Sequence, residues 1–200
     1  MADLVRCGLI LLAAGTSARM GRPKQLLPIK GTPLVRRVAE QLIAADIGPI
    51  VAVLGAGAMQ IKPVLADLPL EIEINPDWGK GMGTSLGFGV RAMLNLFPEM
   101  SALIVAMADQ PDLPAFHLRG MLDRYAQGNC TIVASTFDSR EVPPVLFSAK
   151  WFPVLGKLEG DIGARTILRE NHGEVATVRL MSNADLDTPA DYEKFEREAS

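Results

Sequence analysis

Short apolar segments rich in β-branched residues recur along the chain, separated by longer segments with helical patterning. Each has the length of a β-strand, and together they cover Gly8 to Leu12, Pro49 to Leu54, Glu71 to Ile74, Ala102 to Met107, Thr131 to Ser135 and Val175 to Leu180. Six strands spaced in this way predict a sheet whose strands alternate with helices.

Amphipathic helical segments lie between most of these strands. The clearest one has apolar residues at i,i+4 spacing from Leu34 to Ile43 and opens at Thr32-Pro33. Further helices are predicted over Ala58 to Leu65, Gly83 to Phe97, Pro114 to Gln127, Ala149 to Leu155, Ile162 to Asn171 and Pro189 to Arg197. The alternation predicts one α/β domain over residues 1–200, with a mostly parallel sheet covered by helices on both faces.

One segment, from about residue 137 to 165, departs from this alternation. It is richer in proline and less regular, and it contains one predicted strand at Pro144 to Phe147. We expect this excursion to cover the functional site.

Composition narrows the class of protein. With 48% hydrophobic and 22% charged residues, 200 residues suffice for one packed core but not for two domains of typical size. A net charge of −3 and a pI near 5.4 argue against a nucleic-acid partner. No apolar run approaches the roughly 20 residues of a membrane helix. The apolar start after Arg6 resembles a signal peptide, but a strand followed by a loop explains it better, so we expect a soluble cytoplasmic protein.

The sequence does not indicate a catalytic or metal-binding role for the cysteines or the histidines of this chain. Cys7 and Cys130 have no companion at metal-ligand or redox spacing, and we expect both to be buried at strand ends. His117 and His172 have no partner at catalytic spacing, so surface or helix-end positions are expected. No arrangement of Ser, His and Asp or of Cys and His supports nucleophilic catalysis.

The loop from Leu12 to Lys24 is the strongest candidate for a phosphate site. Its small residues around Gly15 let backbone N–H groups approach an anion, and Arg19 and Lys24 add positive charge. Ligands of open α/β sheets bind beyond the carboxyl ends of parallel strands, and this loop follows the first strand. It matches neither a dinucleotide fingerprint nor a P-loop. The alternative is an ordinary strand-to-helix loop with two solvated cations.

Two acidic segments could supply metal ligands. Asp109 directly follows the strand that ends at Met107, where a carboxylate can hold Mg²⁺ against triphosphate oxygens. A turn or helix cap explains it equally well. Near the C-terminus, Thr188 and Asp191 are explained by a helix start, which leaves Asp185 and Asp187 unexplained.

Two glycine-containing helix starts complete the candidates. The turn from Asn75 to Leu86 leads into a helix whose free N–H donors could hold a base or a ribose, or it is a connector capped by Ser85. Further on, Asp161 is expected to cap a helix with Arg165 one turn inside it. Arg165 could grip a second phosphorylated substrate, or it could be an exposed helix arginine.

Taken together, the motifs resemble the MobA-like NTP transferases over nearly the whole chain, specifically the molybdenum cofactor cytidylyltransferase branch. The residues that carry the resemblance are Leu12-Ala13-Ala14-Gly15 with Ser17, Arg19, Met20, Gly21 and Lys24; Asn75-Pro76; Gly81-Met82 with Ser85-Leu86; Asp109-Gln110-Pro111; Gly160-Asp161 with Gly163-Ala164-Arg165; and Asp187-Thr188-Pro189 with Asp191.

The resemblance implies a fold and a reaction. The fold would be a Rossmann-like three-layer α/β/α domain of the nucleotide-diphospho-sugar transferase type, with a nucleotide half over about 1–110 and an acceptor side over about 137–165. The reaction would transfer CMP from CTP to the phosphate of molybdopterin or its metal-loaded form and release pyrophosphate. It implies Mg²⁺ as cofactor and a molybdenum-enzyme apoprotein as a possible partner. Arg22-Pro23-Lys24 is similar to the branch that uses CTP.

The resemblance also implies roles for individual residues. Arg19 and Lys24 would neutralise the triphosphate, and Asp109 and Asp187 would hold Mg²⁺. Contacts to the nucleotide are implied for Leu12, Ala13, Ala14, Gly15, Ser17, Gly81 and Ser85, and contacts to the acceptor for Asp161 and Arg165.

The chain departs from the family pattern at one place. Where relatives have a glycine-rich turn before Pro-Val-Leu-Phe, it has Ser139-Arg140-Glu141-Val142-Pro143, which could reshape the acceptor pocket. Transfer to a sugar or polyol phosphate therefore stays an alternative. A non-catalytic carrier of the molybdenum cofactor is an alternative of another class.

Overall fold

A computed structural model describes residues 5–198, which form a central sheet with helices on both faces. The strands are β1 Cys7–Ala13, β2 Pro28–Ile29, β3 Thr32–Pro33, β4 Ile50–Leu54, β5 Glu71–Ile74, β6 Ala102–Met107, β7 Ile132–Phe137, β8 Arg140–Ser148 and β9 Val175–Arg179. The helices are α1 Leu34–Ala45, α2 Ala58–Leu65, α3 Met82–Leu96, α4 Ala115–Ala126, α5 Phe152–Leu155, α6 Arg165–Glu170 and α7 Pro189–Glu198. The predicted domain also spans residues 1–4 and 199–200, which lie outside the described residues.

The main sheet has seven strands in the order β5-β4-β1-β6-β8-β7-β9, and β2 and β3 form a separate hairpin. β1 pairs in parallel with β4 on one side and with β6 on the other. β8 runs antiparallel to both of its neighbours. The chain moves outward from β1 through β4 to β5 and then returns through α3 to β6. The crevice between the carboxyl ends of β1 and β6 is therefore the switch point at which such sheets bind ligands.

The core lies in two layers, one on each face of the sheet. Along β1, Leu9 and Leu11 pack into the layer beneath α1, α2 and α4, whereas Ile10 and Leu12 pack into the layer beneath α3, α5 and α6. All seven residues of β1 are buried. A strand that is apolar on both sides fits only the middle of a sheet covered on both faces. The three-layer α/β/α fold is therefore confirmed.

The six predicted strands are present, each within two residues of its expected ends. The excursion is more regular than predicted, because the strand expected at Pro144 to Phe147 is part of the nine-residue β8. β7 and β8 form a hairpin joined by Asp138 and Ser139, whose φ values of 47° and 62° are those of a type I′ turn. The turn lies at the same edge of the sheet as the crevice, since β7 and β6 run in the same direction.

Three local predictions were wrong. The helix expected from Ile162 begins only at Arg165, so Arg165 is its first residue rather than one turn inside it. Asp161 lies four residues ahead of Arg165 and makes no capping hydrogen bond to that helix. The segment expected as one helix over Ala149 to Leu155 consists of a 3-10 turn, Ala149–Trp151, followed by α5.

His117 lies in the first turn of α4, one of its two expected positions, but it is not a surface residue, because its side chain is only 2% exposed. Its Nε2 lies 2.8 Å from Ser135 Oγ, and that hydroxyl donates to the Pro144 carbonyl at 2.8 Å. Burial lowers the pKa of His117. The cysteines are near their expected places: Cys7 is buried at the start of β1, and Cys130 is half-buried two residues ahead of β7.

Among residues 5–198, no helix has both the length and the apolar character that crossing a bilayer requires.

Candidate active site

A cleft of about 880 Å³ opens at the carboxyl ends of β1 and β6, and it brings together almost all of the predicted site residues. Those that line it are Leu12, Ala13, Ala14, Gly15, Arg19, Lys24, Gly81, Ser85, Asp109, Asp161, Arg165 and Asp187. Ser17 does not line the cleft. Five segments that are far apart in the sequence thus share one concave surface.

The loop after β1 is held in shape by Gln25, a buried polar residue that the sequence reasoning missed. Its Nε2 donates to the carbonyls of Ala13 and Gly15 at 3.2 and 2.9 Å. Ser17 donates to Gln25 Oε1 at 3.0 Å and accepts from the Lys24 N–H at 3.0 Å. The Ser17 hydroxyl is therefore used inside the loop, where it fixes the approach of Lys24. A glutamine ahead of two leucines gave no pattern that would have revealed this role.

The centre of the cleft is an ion cluster built on Lys24. Its Nζ donates to Asp109 Oδ2 and to Asp187 Oδ1, both at 2.7 Å. Arg19 Nη2 donates to the other oxygen of Asp187 at 2.8 Å. Lys24 and Asp109 are mostly buried, whereas the Arg19 side chain is 71% exposed. One cationic amine thus bridges the two carboxylates that were predicted to bind metal.

Protonation in this cluster follows from its geometry. Burial alone would lower the pKa of Lys24, but the charges and hydrogen bonds of Asp109 and Asp187 outweigh burial and raise it. The hydrogen bond from Lys24, with support from Arg19, lowers the pKa of Asp187. Burial, and then the negative charges of Asp109 and Asp187, raise the pKa of Asp185. Lys24 and Asp187 are therefore charged near neutral pH.

The positions of Asp109 and Asp187 are fixed by the secondary structure elements next to them. Asp109 follows β6, and its carbonyl accepts from the Leu186 N–H at 3.0 Å, which holds the acidic C-terminal segment beside the strand end. Thr188 and Asp191 cap each other at the start of α7, as predicted, through Thr188 N–H and Oγ1 contacts to Asp191 Oδ2 at 2.8 and 2.7 Å. Asp187 is therefore fixed immediately ahead of a well-formed helix start.

Gln110 links this segment to the far wall of the cleft. Its Nε2 donates to the Pro143 carbonyl at 3.0 Å and to Asn183 Oδ1 at 2.9 Å. Glu141, Val142 and Pro143 line the cleft, so the segment that departs from the family pattern forms part of its wall.

The two carboxylates fit a divalent metal ion. Both touch the same Nζ at 2.7 Å, so their oxygens lie close enough to share one cation. Within residues 5–198, no group of three or more metal-ligating side chains comes together. Mg²⁺ is commonly held by one or two carboxylates, with substrate phosphates and water as its other ligands. The donor set therefore suits a metal that arrives with a polyphosphate.

The helix start at α3 differs from its prediction. The N–H groups of Gly83 and Thr84 both donate to the Gly160 carbonyl, at 2.8 and 3.3 Å, and Thr84 Oγ1 accepts from the Gly160 N–H at 2.9 Å. These two donors are therefore not free for a ligand, because the 159–163 loop caps the helix. Gly81 has a φ of 122°, and a Cβ there would lie 2.4 Å from Asp161 Oδ1.

Ser85 is fixed by a second buried polar residue. Asn75, only 1% exposed, donates from Nδ2 to Ser85 Oγ at 3.1 Å, and its Oδ1 accepts from the Asp77 N–H at 3.0 Å. The Ser85 hydroxyl thus has an orienting partner rather than a capping role. Asn75 belongs to one of the motifs that carry the family resemblance, but the sequence did not indicate this contact.

Comparison with known proteins agrees with this geometry. The family model described as MobA-like NTP transferase domain matches residues 9–175 of this chain. The chain belongs to the MobA-like NTP transferase family. This match includes the basic loop, Asp109 and Arg165, whereas Asp187 lies beyond its end.

Similar proteins of this family cover the chain almost end to end. It is 33% identical over 195 residues to nicotine blue oxidoreductase of Paenarthrobacter nicotinovorans, covering 94% of this chain and 92% of that protein. It is 28% identical to the purine catabolism protein PucB of Bacillus subtilis, with 96% of each covered. Among solved structures, Rv0371c of Mycobacterium tuberculosis H37Rv has a TM-score of 0.85 at 25% identity, covering 96% of this chain and 98% of that one.

Proposed function

We propose that this protein transfers CMP from CTP to the phosphate of a molybdopterin-type acceptor and releases pyrophosphate. The observation that carries the proposal is the position of Lys24 between Asp109 and Asp187 at the switch point of the sheet, beside Arg19. A polyphosphate needs fixed cations, and a metal that travels with it needs carboxylates. The cleft has both within one ion cluster.

For this reaction the protein needs mainly to position the two substrates and to supply charged groups around the triphosphate. An acceptor phosphate oxygen attacks the α-phosphorus of CTP, and the bond to the pyrophosphate oxygen breaks on the opposite side. The second pKa of a phosphate monoester is about 6, so the attacking group is already ionised at neutral pH and no protein base is required. Alignment of the two substrates then accounts for much of the rate.

Negative charge moves onto the departing pyrophosphate, and the basic residues of the loop after β1 would stabilise that charge. Lys24 and Arg19 would stabilise that charge from the loop that Gln25 and Ser17 hold rigid. Asp109 and Asp187 would hold Mg²⁺, which when bound neutralises charge on the triphosphate oxygens. A manganese complex is described for Rv0371c, a protein with the same fold.

The choice of CTP rests on the first loop. The motif Leu12-Ala13-Ala14-Gly15 and the residues Arg22-Pro23-Lys24 resemble the cytidylyltransferase branch. A CTP complex is described for CMP-2-keto-3-deoxy-manno-octonic acid synthetase, a protein of this fold that is 13% identical. Three expectations stay predictions. They are delivery of the product to an apoprotein, a cytoplasmic location, and the division of the chain into a nucleotide half and an acceptor side.

Pyrophosphate release tests the proposal directly. The protein is incubated with molybdopterin and Mg²⁺, and each of the four NTPs is supplied in parallel. We expect CTP to be used at least about tenfold better than GTP, since a site built to hydrogen-bond one base leaves polar groups unpaired with another. Absence of pyrophosphate with every NTP, both with molybdopterin and with a sugar or polyol phosphate as acceptor, would refute the transferase assignment. Release with a sugar or polyol phosphate, but not with molybdopterin, would instead favour the alternative acceptor class.

Substitutions in the ion cluster test the assigned residues. Lys24→Ala and Asp109→Asn are each expected to lower turnover by about 100-fold or more, because each removes charge that acts on the triphosphate. Lys62→Ala, which removes an exposed lysine on α2, is the matched control and should retain full turnover. Unfolding curves recorded on the same variants separate lost chemistry from lost structure. Wild-type turnover in Lys24→Ala would contradict the role assigned to this lysine.

A second candidate function comes from a relative rather than from the ion cluster. The 33% identical relative is named nicotine blue oxidoreductase, so reduction of that dye belongs in the same test. The cleft also has apolar lining, including Leu12, Met107 and Phe147, which could face an aromatic substrate. Reduction of nicotine blue, with NADH or NADPH supplied as the reductant and followed at the absorbance of the reduced nicotinamide, distinguishes this activity from pyrophosphate release.

A further inference from the structure

A second cavity, of about 510 Å³, adjoins the cleft at the turn of the β7–β8 hairpin. We call it the arginine groove, and its polar lining includes Ser139, Arg140, Glu141, Arg165, Arg169 and His172. Glu141 and Arg165 line both the groove and the cleft. The two cavities are therefore continuous, and a ligand in the cleft could extend into the groove.

The groove is basic although the chain as a whole is acidic. It has three arginines and a histidine, against a net charge of −3 for the protein. In residues 5–198, the guanidinium groups of Arg140 and Arg165 have no hydrogen-bond or ion-pair partner. Unpartnered guanidinium groups that converge on one concavity are suited to an oxyanion, which they can bind with paired hydrogen bonds.

Nearby acids do not neutralise the groove. His172 Nδ1 lies 3.9 Å from Glu141 Oε1, and Arg169 Nη2 lies 4.0 Å from Glu170 Oε1. Both contacts are at the limit of an ion pair, and at least one partner of each is mostly exposed, so they contribute little. The remaining positive charge is available to a ligand.

We propose that the arginine groove binds a second anionic group of the acceptor, a phosphate or another oxyanion, while the reacting phosphate lies in the cleft. This inference rests on the proposed transferase function, because it assigns the groove to that reaction's second substrate. Among molybdopterin-type acceptors, it selects a form with an anionic group besides the reacting phosphate, such as the metal-loaded form with its oxo groups. It also gives a use to Arg140, which lies in the segment that departs from the family pattern.

Direct binding of inorganic phosphate tests the groove without turnover. The arginine side-chain Nε–Hε signals are followed by NMR during the titration. The Arg165 and Arg169 signals should shift and saturate, whereas that of Arg6, an exposed arginine ahead of β1 at the other edge of the sheet, should not. Substitution of Arg140 and Arg169 together by alanine should raise the phosphate Kd, read at Arg165, at least about fivefold. Shifts that do not saturate, or an unchanged Kd, would overturn the proposal.

Acceptor kinetics form the second arm of the test. The same double variant should raise the KM for the acceptor about tenfold and leave the KM for CTP unchanged, because the groove lies outside the ion cluster. Arg6→Ala is the matched control and should change neither constant. An unchanged acceptor KM would overturn the groove proposal while the transferase stands. Saturable phosphate binding in a protein that releases no pyrophosphate would overturn the transferase, and with it the assignment of the groove to an acceptor.

Discussion

Lys24 makes two contacts that a divalent cation could also make. Its Nζ lies 2.7 Å from an oxygen of each of the two carboxylates, so it and a metal ion would compete for the same negative charge. A bound triphosphate would end this competition, because Lys24 could then pair with the triphosphate and leave the two carboxylates to the metal ion. The proposed site therefore favours metal and nucleotide together over metal alone.

Removal of Lys24 should therefore strengthen metal binding in the absence of nucleotide. Lys24→Ala leaves Asp109 and Asp187 without their shared cation, and the affinity for Mn²⁺ should rise by about tenfold, since like charges at close range favour an added cation. Titration calorimetry or the Mn²⁺ EPR signal measures this, with Lys62→Ala as the control. Weaker Mn²⁺ binding in Lys24→Ala would show that the two carboxylates do not form the metal site.

His117 makes stability depend on pH in a defined direction. Its pKa is lowered in the folded state, so the unfolded chain binds the proton more readily as the pH falls below about 6.5. The associated stability is complete above that pH and is lost as the pH falls from it toward the folded pKa, with a slope of at most about 1.4 kcal/mol per pH unit.

Substitution of His117 should remove this slope. His117→Gln is expected to flatten the pH dependence of the free energy of unfolding below about pH 6.5, relative to the parent protein. Lys62→Ala leaves both histidines in place and is the control. Urea unfolding at a series of pH values measures both variants. Equal slopes in the parent and in His117→Gln would contradict the assignment of this proton to His117.

Among the secondary structure elements, α3 is the helix packed most directly on the centre of the sheet. Gly89 faces β1 and β4, where an added Cβ would meet Val53 Cγ2 at 2.7 Å and Ile10 Cγ2 at 3.1 Å. Gly120 in α4 has much more room, since the nearest atom to an added Cβ is Val178 Cγ1 at 4.0 Å. The same substitution should therefore have opposite effects in the two helices.

Alanine at Gly89 should destabilise the protein by about 1–3 kcal/mol, because the overpacking outweighs the better helix propensity of alanine. Alanine at Gly120 should stabilise it by up to about 1 kcal/mol, because only the propensity changes. Chemical denaturation of the two variants under identical conditions gives both values. Stabilisation by both substitutions would mean that α3 lies farther from the sheet than these distances indicate.

Local sequence patterns predicted the elements better than their connections. The parallel strands were predicted correctly because each is a short apolar run, which can be recognised in the sequence without knowing which strand it pairs with. β8 was underestimated because its polar first residues pair with the end of β7, a contact that periodicity does not reveal. The start of α6 was misplaced because Gly160 and Ile162 pack against α3 instead of extending the helix.

At the scale of the whole molecule, the site is a product of topology. Lys24 and Asp187 are 163 residues apart in the sequence and in direct contact in the fold. Their meeting was predictable because the first loop and Asp109 both follow strands at the switch point, and because motif resemblance added Asp187. The buried polar residues that shape the site, Gln25 and Asn75, were not predictable, since each acts through contacts that exist only once the loops are folded.

A crystal structure with a non-hydrolysable CTP analogue and Mn²⁺ tests the central claim most directly. The anomalous signal of manganese should lie between Asp109 and Asp187, within ligand distance of both, with the triphosphate along the loop from Leu12 to Lys24 and Lys24 turned toward it. A nucleotide bound elsewhere, or a manganese peak that contacts neither carboxylate, would contradict the account.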